Sequence, residues 1–177
     1  MIYFISDTHF NHDNILKYCK RPFKDVKDMN DALIKNWNSV VKDDDTIYHL
    51  GDLALGDKND FVSIAKKLNG NKYLIRGNHD NFKVSFYEEN GFKVLKNPPI
   101  KLDKYKLYLS HTPRMDSELP SGYINIHGHI HNNILNDLKV YPLKYYSPNL
   151  HFNVSVDVIG FTPISIDDLL KKIDKIE

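Results

Sequence analysis

Three histidines lie within five residues of the stretch IHGHIHNN, at His127, His129 and His131. A spacing of two residues places side chains on one face of a β-strand, so an extended segment would present all three imidazoles together. Imidazole is a frequent metal ligand and is costly to bury without a partner. The stretch therefore indicates a metal site, and it leaves open whether the three histidines share one role.

Further residues of metal-ligating types follow predicted strands elsewhere in the chain. The carboxyl ends of parallel strands form the site crevice of an open α/β sheet. We therefore expect five segments that are far apart in sequence to meet at one sheet edge. The residues that they bring there are Asp7, His9, Asp52, Asn78, His111, His129 and His131.

The chemistry of these seven side chains favours two metal ions. Two carboxylates, one amide oxygen and four imidazoles exceed the needs of one four-coordinate ion, whereas a shared carboxylate would join two ions. Nitrogen and oxygen ligands without thiolate favour Mn, Fe, Zn, Co or Ni over Mg or Ca. Two such ions, roughly 3.5–4 Å apart, grip the attacking and leaving oxygens of a displacement at phosphorus.

Five short motifs in a fixed order carry a family resemblance. The motifs DTH, GDL, GNHD, SH and GHIH run from Asp7 to His131. They resemble the D-x-H, G-D, G-N-H-D/E, H and G-H-x-H motifs of the calcineurin-like metallophosphoesterase superfamily, and NVSVDVIGFTPISIDDL is similar to the tail of small bacterial and phage members. The resemblance implies an α/β fold, a four-layer α/β/β/α sandwich of two mixed sheets flanked by helices, with the metal site at the carboxyl ends of strands.

The resemblance also implies a role for each motif residue. The predicted ligands divide into two sets of three and one bridging carboxylate: Asp7, His9 and His131; Asn78, His111 and His129; and Asp52. A metal-bound hydroxide would attack phosphorus, with its pKa lowered by the cations. His79 would stabilise the transition state or protonate the leaving oxygen, and Asp80 could orient its imidazole. The implied cofactors are two divalent transition-metal ions, with Mn favoured and Fe, Zn, Ni or Co as alternatives.

Three residues near the motifs are candidates for substrate binding. Arg76 and Arg114 could each hold a phosphate oxygen through the guanidinium fork, or form an ordinary ion pair. His12 could face the substrate or cap the following helix. The eleven tyrosines could help line a nucleotide-binding cleft, but the sequence does not place them. Structural roles are predicted for the other singled-out residues, namely His127 and His49 behind the ligands or in the core, Arg21 as a loop anchor, Cys19 as an inert buried thiol, Trp37 in the core, and His151 in a loop or strand.

Hydrophobic periodicity predicts the elements that position these residues. The first half alternates strands and helices, which indicates a sheet covered by helices, and the second half is mainly strands. A closing helix begins at Ser165, with Asp168 at capping-box spacing. The predicted strands cover 2–6, 46–50, 72–76, 93–97, 106–111, 123–129 and 152–160; the predicted helices cover 29–42, 60–68, a weaker stretch between 81 and 91, and 165–173. A surface loop is predicted over 142–151.

The composition is that of an ordinary globular protein, with 41% hydrophobic and 27% charged residues. A length of 177 residues predicts one domain over positions 1–177. The formal net charge of +1 indicates no general basic field for nucleic acid. One cysteine excludes an intrachain disulfide and a multi-cysteine zinc site, and no apolar run reaches membrane-spanning length. These features predict a cytoplasmic protein without a membrane partner.

The leading hypothesis is a dinuclear metal-dependent phosphoesterase that acts on phosphodiesters. No insertion is long enough for a large cap, so an open cleft is expected. The family resemblance then implies an extended or diester substrate, such as a nucleotide, a cyclic nucleotide or a nucleic-acid end. Three alternatives stay open: a phosphomonoesterase or protein phosphatase, an inactive interaction scaffold of the same fold, and a structural zinc protein. The sequence indicates no oligomeric state.

Overall fold

The computed structural model describes residues 1–132 and 145–175. Asn133 of the histidine stretch and the first three residues of the predicted loop 142–151 lie outside the described residues. The helices are α1 (Ile15–Tyr18), α2 (Val26–Val40), α3 (Lys58–Ala65), α4 (Val84–Glu89), α5 (Val156–Ile159) and α6 (Ile166–Ile173). The strands are β1 (Ile2–Ile5), β2 (Thr46–His49), β3 (Asn71–Leu74), β4 (Phe92–Val94), β5 (Ile100–Leu102), β6 (Leu107–Leu109), β7 (Ile124–His127), β8 (His151–Asn153) and β9 (Ile164–Ser165).

The strands form two mixed sheets. The first sheet has the order β4-β3-β2-β1-β9, in which β1 to β4 are parallel and β9 is antiparallel to β1. The second sheet has the order β5-β6-β7-β8, in which only β5 is antiparallel to its neighbour. Because the connections between parallel strands return to the same end, the loops after β1, β2 and β3 share one edge. The predicted fold of two mixed sheets flanked by helices is confirmed.

The two faces of the first sheet serve different hydrophobic clusters, as the alternation of side chains along a strand requires. Ile5 of β1 packs in a buried cluster with residues of α2, including Trp37, which lies in the core as predicted. Its neighbour Phe4 belongs to a second cluster with Leu109 and Ile126 of the other sheet. The sheets therefore pack against each other on one side, and helices cover the opposite face of the first sheet.

Side-chain caps define where two of the longer helices begin. The Asp25 carboxylate accepts a hydrogen bond from the Asp28 N–H (2.8 Å), so α2 begins three residues before its predicted start. Ser165 Oγ accepts from the Asp168 N–H (3.1 Å), which confirms the predicted start of α6. Each cap satisfies an amide that has no partner within its helix. Within residues 1–132 and 145–175, no helix combines the length and apolar character needed to cross a bilayer.

The prediction of one continuous strand over 152–160 is wrong. The strand β8 ends at Asn153, and residues 156–159 form the short helix α5, which stops at Gly160 in the left-handed region (φ 72°). The alternating apolar residues satisfy a strand pattern, but the chain leaves the sheet at Ser155, whose hydroxyl donates to Asp7 Oδ2 (2.7 Å). This turn brings Asp157 to the same edge as the predicted ligands. The strands β5 and β9 were not predicted, since each has only two or three residues.

Candidate metal centre

The structure brings together the segments that were expected to meet at one sheet edge. The loops after β1, β2, β3, β6 and β7 supply all seven predicted ligands. Six of the seven predicted ligands form two groups of three whose potential ligand atoms lie within 4.8 Å of one another. We call them cluster 1, which is Asp7, His9 and His131, and cluster 2, which is Asp52, His111 and His129.

Asn78 lies at cluster 2. Its side-chain oxygen is 3.1 Å from His111 Nε2 and 3.0 Å from His129 Nδ1. The two imidazole nitrogens are themselves 3.1 Å apart. An amide oxygen and two imidazole nitrogens thus converge on one point, which is the arrangement expected of ligands around a single ion.

The Asp52 carboxylate lies between the two clusters. Its Oδ2 atom is 3.5 Å from His9 Nε2 of cluster 1 and 3.5 Å from His111 Nε2 of cluster 2. Burial raises the pKa of this carboxyl group, but the hydrogen bond and charge of His111 outweigh burial and hold the pKa well below its usual range. Asp52 is therefore an anion that reaches both clusters.

The imidazoles that face the clusters are oriented by bonds at their other ring nitrogen. The His111 Nδ1–H donates to the Leu50 carbonyl (2.8 Å), and His131 Nδ1 lies 2.8 Å from Asp157 Oδ2. His9 Nδ1 pairs with His12 Nδ1 at 3.2 Å. Such partners fix the orientation of each ring and can hold a proton at Nδ1, the arrangement that favours metal binding through Nε2.

His9 Nε2 provides a test of whether the site fits a metal. This nitrogen is buried and has no hydrogen-bond partner within the described residues. Burial lowers the pKa of His9 to about 2, so the ring is neutral and one of its two nitrogens carries a lone pair that a metal could use. A buried acceptor without a partner is costly unless something fills its place, and a divalent cation beside Asp52 would do so.

Five of the seven predicted ligands have left-handed backbone conformations. The φ angles are 56° at Asp7, 48° at His9, 56° at Asp52, 70° at His129 and 50° at His131. Non-glycine residues in this region store strain of about 1–3 kcal/mol each and concentrate at functional sites. Hydrogen bonds stabilise these strained conformations here, such as the one from the His129 N–H to Asp7 Oδ2 (2.9 Å).

Two glycines allow the ligand loops to approach one another closely. A Cβ atom at Gly128 would overlap the side-chain oxygens of Ser6 and Asp7, and one at Gly77 would overlap Asp52 Oδ1. Larger residues at these positions would push the loops apart. Gly128 directly follows the end of β7, so this close contact lies at the start of the ligand loop.

The three histidines of IHGHIHNN do not share the face that an extended segment would give them. β7 ends at His127, and the left-handed residues His129 and His131 turn the chain out of the extended conformation. His127 is buried, its Nδ1–H donates to the Gly128 carbonyl (3.0 Å), and its ring packs edge-on against His151. Burial lowers the pKa of His127 to about 3. Its predicted structural role is confirmed, and His151 is the first residue of β8.

We predict that replacing His127 by Asn lowers metal affinity less than the same replacement at His129 or His131. The reason is that His127 supports the loop from behind, whereas the other two rings face the clusters. Titration of each apo-protein with Mn²⁺, followed by calorimetry, measures the difference. Equal losses at the three positions would contradict the distinction.

His49 supports the site from the core, as predicted. Its Nδ1 accepts from the Gly51 N–H (3.2 Å), and its Nε2 lies 2.9 Å from the Thr8 hydroxyl. The ring stacks on Trp37, with centroids 6.3 Å apart. Both nitrogens of His49 are therefore used to connect the loops after β1 and β2.

His79 and Asp80 have separate surroundings. The His79 N–H donates to Asp52 Oδ1 (2.9 Å), and its ring lies 5.2 Å from that of His9, centroid to centroid. The buried Asp80 carboxylate accepts from the backbone N–H groups of Gly77 (2.7 Å), Asp52 (2.8 Å) and Leu53 (3.0 Å). Burial raises the pKa of Asp80 to about 6. In place of the predicted bond to the His79 imidazole, Asp80 ties together the loops after β2 and β3.

Arg21 anchors the first ligand loop, as predicted. Its guanidinium donates to the carbonyl oxygens of Asp7 (2.7 Å) and Thr8 (2.8 Å) and to both carboxylate oxygens of Asp157 (2.8 and 2.9 Å). Asp157 in turn holds His131 Nδ1. Sequence reasoning missed Asp157, because its segment was predicted to be a strand; the available signal was a lone acidic residue in an apolar stretch.

We predict that replacing Asp157 by Asn weakens metal binding at cluster 1 by roughly 10–100-fold, the usual cost of losing an outer-shell partner of a ligating histidine. The Asn side chain keeps the shape but loses the charge that stabilises the His131 Nδ1–H. Competition with a colorimetric chelator gives the affinity. Asp168→Asn, an exposed acidic residue on α6, is the matched control, and an equal affinity in the two variants would contradict the prediction.

Cys19 differs from its predicted role as an inert buried thiol. It is half-buried, and its sulfur lies within 4.8 Å of potential ligand atoms of His131 and Asp157. The thiol therefore lies beside His131 of cluster 1 and beside Asp157, the partner of His131.

The predicted substrate residues lie on two sides of the centre. Arg76 and Arg114 line a pocket of about 270 Å³ together with Asn78, His111 and His129. Arg76 donates to the Asp80 carbonyl (Nε, 3.0 Å), and Arg114 Nη1 is 3.7 Å from Glu118. On the other side, the His12 ring packs against those of His9 and His79. The N-cap of α1 is Asn14, so the alternative that His12 caps this helix is wrong.

Comparison with known proteins agrees with this geometry. A family model described as calcineurin-like phosphoesterase matches residues 1–175. The chain belongs to this family. Family membership, together with clusters 1 and 2, supports a metal-dependent hydrolase of phosphoric esters.

Relatives of this calcineurin-like phosphoesterase include proteins from archaea and phages. It is 45% identical over 179 residues to the uncharacterized protein MJ1445 of Methanocaldococcus jannaschii, covering 98% of this chain and 92% of the relative. It is 35% identical over 81 residues to the Gene 66 protein of Mycobacterium phage L5, covering 44% of this chain and 39% of the relative.

Two solved structures share the fold. The protein of unknown function AQ665 from Aquifex aeolicus is 30% identical, with a TM-score of 0.71, and the alignment covers 97% of this chain and 98% of that one. The Pseudomonas putida nuclease MPE is 17% identical, with a TM-score of 0.50, and the coverage is 73% and 61%. The second likeness concerns the fold alone.

Proposed function

We propose that this protein is a dinuclear metal-dependent phosphodiesterase. The observation that carries the proposal is the buried Asp52 carboxylate, which lies 3.5 Å from an imidazole nitrogen in each of the two clusters. One carboxylate shared by two sets of nitrogen and oxygen donors suits a metal pair better than a single four-coordinate ion. A structural zinc site would instead be closed around one ion.

The chain offers a complete donor set for each ion. Asp7, His9 and His131 would hold the first, Asn78, His111 and His129 the second, and Asp52 both. Mn²⁺ is the favoured ion, and Fe, Zn, Co and Ni suit the same donors. When bound, the two cations supply Lewis acidity that polarises the ester and lowers the pKa of water.

His79 is proposed to assist the leaving group. Its backbone N–H donates a hydrogen bond to Asp52 Oδ1, so His79 lies beside the carboxylate that would bind both metals. A protonated imidazole there gives its proton to the leaving oxygen as the bond to phosphorus breaks. Asp80 is a positioning residue, because it fixes the two loops that carry Asp52 and His79.

Space on two sides of the centre supports a diester over a monoester. The pocket with Arg76 and Arg114 lies beside cluster 2. A second pocket of about 230 Å³, lined by Leu55, Phe82 and other residues, lies beside His79. A diester carries one group on each side of phosphorus, so both spaces would be used. The arginines would hold its non-bridging oxygens or a neighbouring phosphate.

Turnover of bis(p-nitrophenyl) phosphate and of p-nitrophenyl phosphate tests the proposal. The protein is loaded with Mn²⁺, assayed on both esters, treated with a chelator and assayed again after metal is restored. We expect faster hydrolysis of the diester, lost on chelation and recovered with Mn²⁺. Preference for the monoester would support a phosphomonoesterase instead, and no metal-dependent turnover of either would support an inactive scaffold.

A further inference from the structure

Tyr18 is an unusually exposed aromatic residue close to the metal centre. It is the last residue of α1, and 73% of its surface is accessible to solvent. Its ring packs edge-on against the ring of His12, with centroids 6.3 Å apart and an angle of 76° between the planes. One face of an aromatic ring is thus left open to solvent beside the site.

His12 connects Tyr18 to the proposed proton donor. The centroid of the His12 ring is 6.1 Å from that of His79 and 5.1 Å from that of His9. The rings of Tyr18, His12 and His79 therefore form a continuous aromatic row that begins at the centre and ends in solvent. A group attached to the leaving oxygen, which His79 would protonate, would lie along this row.

Exposed positive charge flanks the open ring. Lys17 and Lys20 are both exposed, and no ion pair within residues 1–132 and 145–175 engages either of them. Aromatic side chains between basic ones are the usual means of binding single-stranded nucleic acid: the rings stack on bases, and the cations accompany the backbone. A single aromatic residue on a protein surface is common. Tyr18 differs because its ring continues the aromatic row to His79 and because two lysines, without ion pairs in the part of the chain that the structure describes, lie on either side of it in the sequence. These are the features of a binding platform.

We propose that Tyr18 and His12 form a stacking platform for the base on the leaving-group side of a single-stranded nucleic-acid substrate. This inference rests on the proposed phosphodiesterase function and specifies its substrate class. The platform discriminates by ring stacking, so it accepts any base and rejects a sugar without one. Lys17 and Lys20 hold the phosphates that follow that base.

Two dinucleotides test the platform: thymidylyl-thymidine and the same dinucleotide without the base of the leaving nucleoside. Their leaving alcohols are alike, so the ratio of their kcat/KM values reports the contribution of the base. In the Mn²⁺-loaded protein we expect a ratio of roughly 5–150, the range for one stacked base. Tyr18→Ala should lower the ratio toward 1, and Tyr18→Phe should retain it, because stacking needs the ring and not the hydroxyl.

Val158→Ala is the matched control, since Val158 is also an exposed apolar residue (49% accessible), but it lines a pocket with Ile164 and Ser165 of β9 and not the pockets beside the metal centre. Its ratio should equal that of the unaltered protein. A ratio near 1 in the unaltered protein, or an unchanged ratio in Tyr18→Ala, would overturn the platform while leaving the diesterase intact. Dissociation constants of both dinucleotides for metal-loaded His79→Gln protein separate the reverse case. A base preference in these constants, together with no metal-dependent diester turnover by the unaltered protein, would refute the diesterase alone.

Salt dependence tests the two lysines. For a single-stranded oligonucleotide, the slope of log affinity against log salt should become shallower by about 1.4 in the double variant Lys17→Gln/Lys20→Gln, or about 0.7 for each phosphate that a lysine no longer neutralises. Lys171→Gln/Lys172→Gln removes two exposed charges from α6 and should leave the slope unchanged. An equal slope in the two double variants would remove the lysines from the proposal.

Discussion

Replacing Asp52 by Asn is expected to prevent the protein from holding two metal ions together and to lower diester turnover by roughly 10³-fold. The carboxylate lies between a nitrogen of each cluster, and the amide keeps its size but loses its charge. Two cations without the anion between them repel each other, and several kcal/mol of transition-state stabilisation are lost with the pair. Elemental analysis after equilibrium dialysis against Mn²⁺ gives the stoichiometry, and turnover is measured on the same samples.

The control for this substitution is Asp44→Asn, which neutralises an exposed acidic residue in the loop before β2. It should bind two ions and turn over as the unaltered protein does. If Asp52→Asn also retains two ions with unchanged affinity, Asp52 does not bridge the clusters.

Replacing His79 by Gln is expected to leave both metals bound and to lower turnover by roughly 10²–10⁴-fold, the usual share of general acid–base catalysis. The His79 backbone N–H, which donates to Asp52, is kept in this variant, so the loop should hold its position. Metal analysis and kcat on the same preparation separate the two effects. Loss of metal would instead make His79 a ligand.

The leaving group provides a second test of His79. Nitrophenolate leaves without a proton, whereas the alkoxide of a sugar requires one. The defect of His79→Gln should therefore be larger on a dinucleotide than on bis(p-nitrophenyl) phosphate. Equal defects on the two substrates would assign His79 to stabilisation of the phosphate charge and not to proton donation.

The convergence of the predicted ligands could be predicted because each of their segments comes directly after a predicted strand. In a parallel sheet, residues after successive strands must meet at one edge, so Asp7, Asp52 and Asn78 were placed without knowledge of their contacts. The residues that hydrogen-bond to the ligands from outside the clusters could not be predicted in this way. Asp157 and Ser155 reach the centre through a turn that interrupts an alternating apolar pattern, and periodicity carries no signal for such a turn.

Two arrangements that the sequence suggested depend on tertiary contacts. The shared face expected for His127, His129 and His131 assumed an extended chain, but left-handed residues after β7 separate the rings. Adjacency in sequence suggested that Asp80 orients His79, yet its carboxylate accepts from amides of two loops. In both cases, tertiary hydrogen bonds hold conformations that local pattern does not favour.

Titration of the metal-free protein with Mn²⁺, with diester turnover measured at each addition, tests the dinuclear account most directly. If the centre needs both ions, turnover stays low up to one equivalent and rises between the first and the second. The rise should end at two ions per chain, with little change in the circular dichroism of the fold. Full turnover at one equivalent, or a single bound ion accompanied by a large folding transition, would contradict the account.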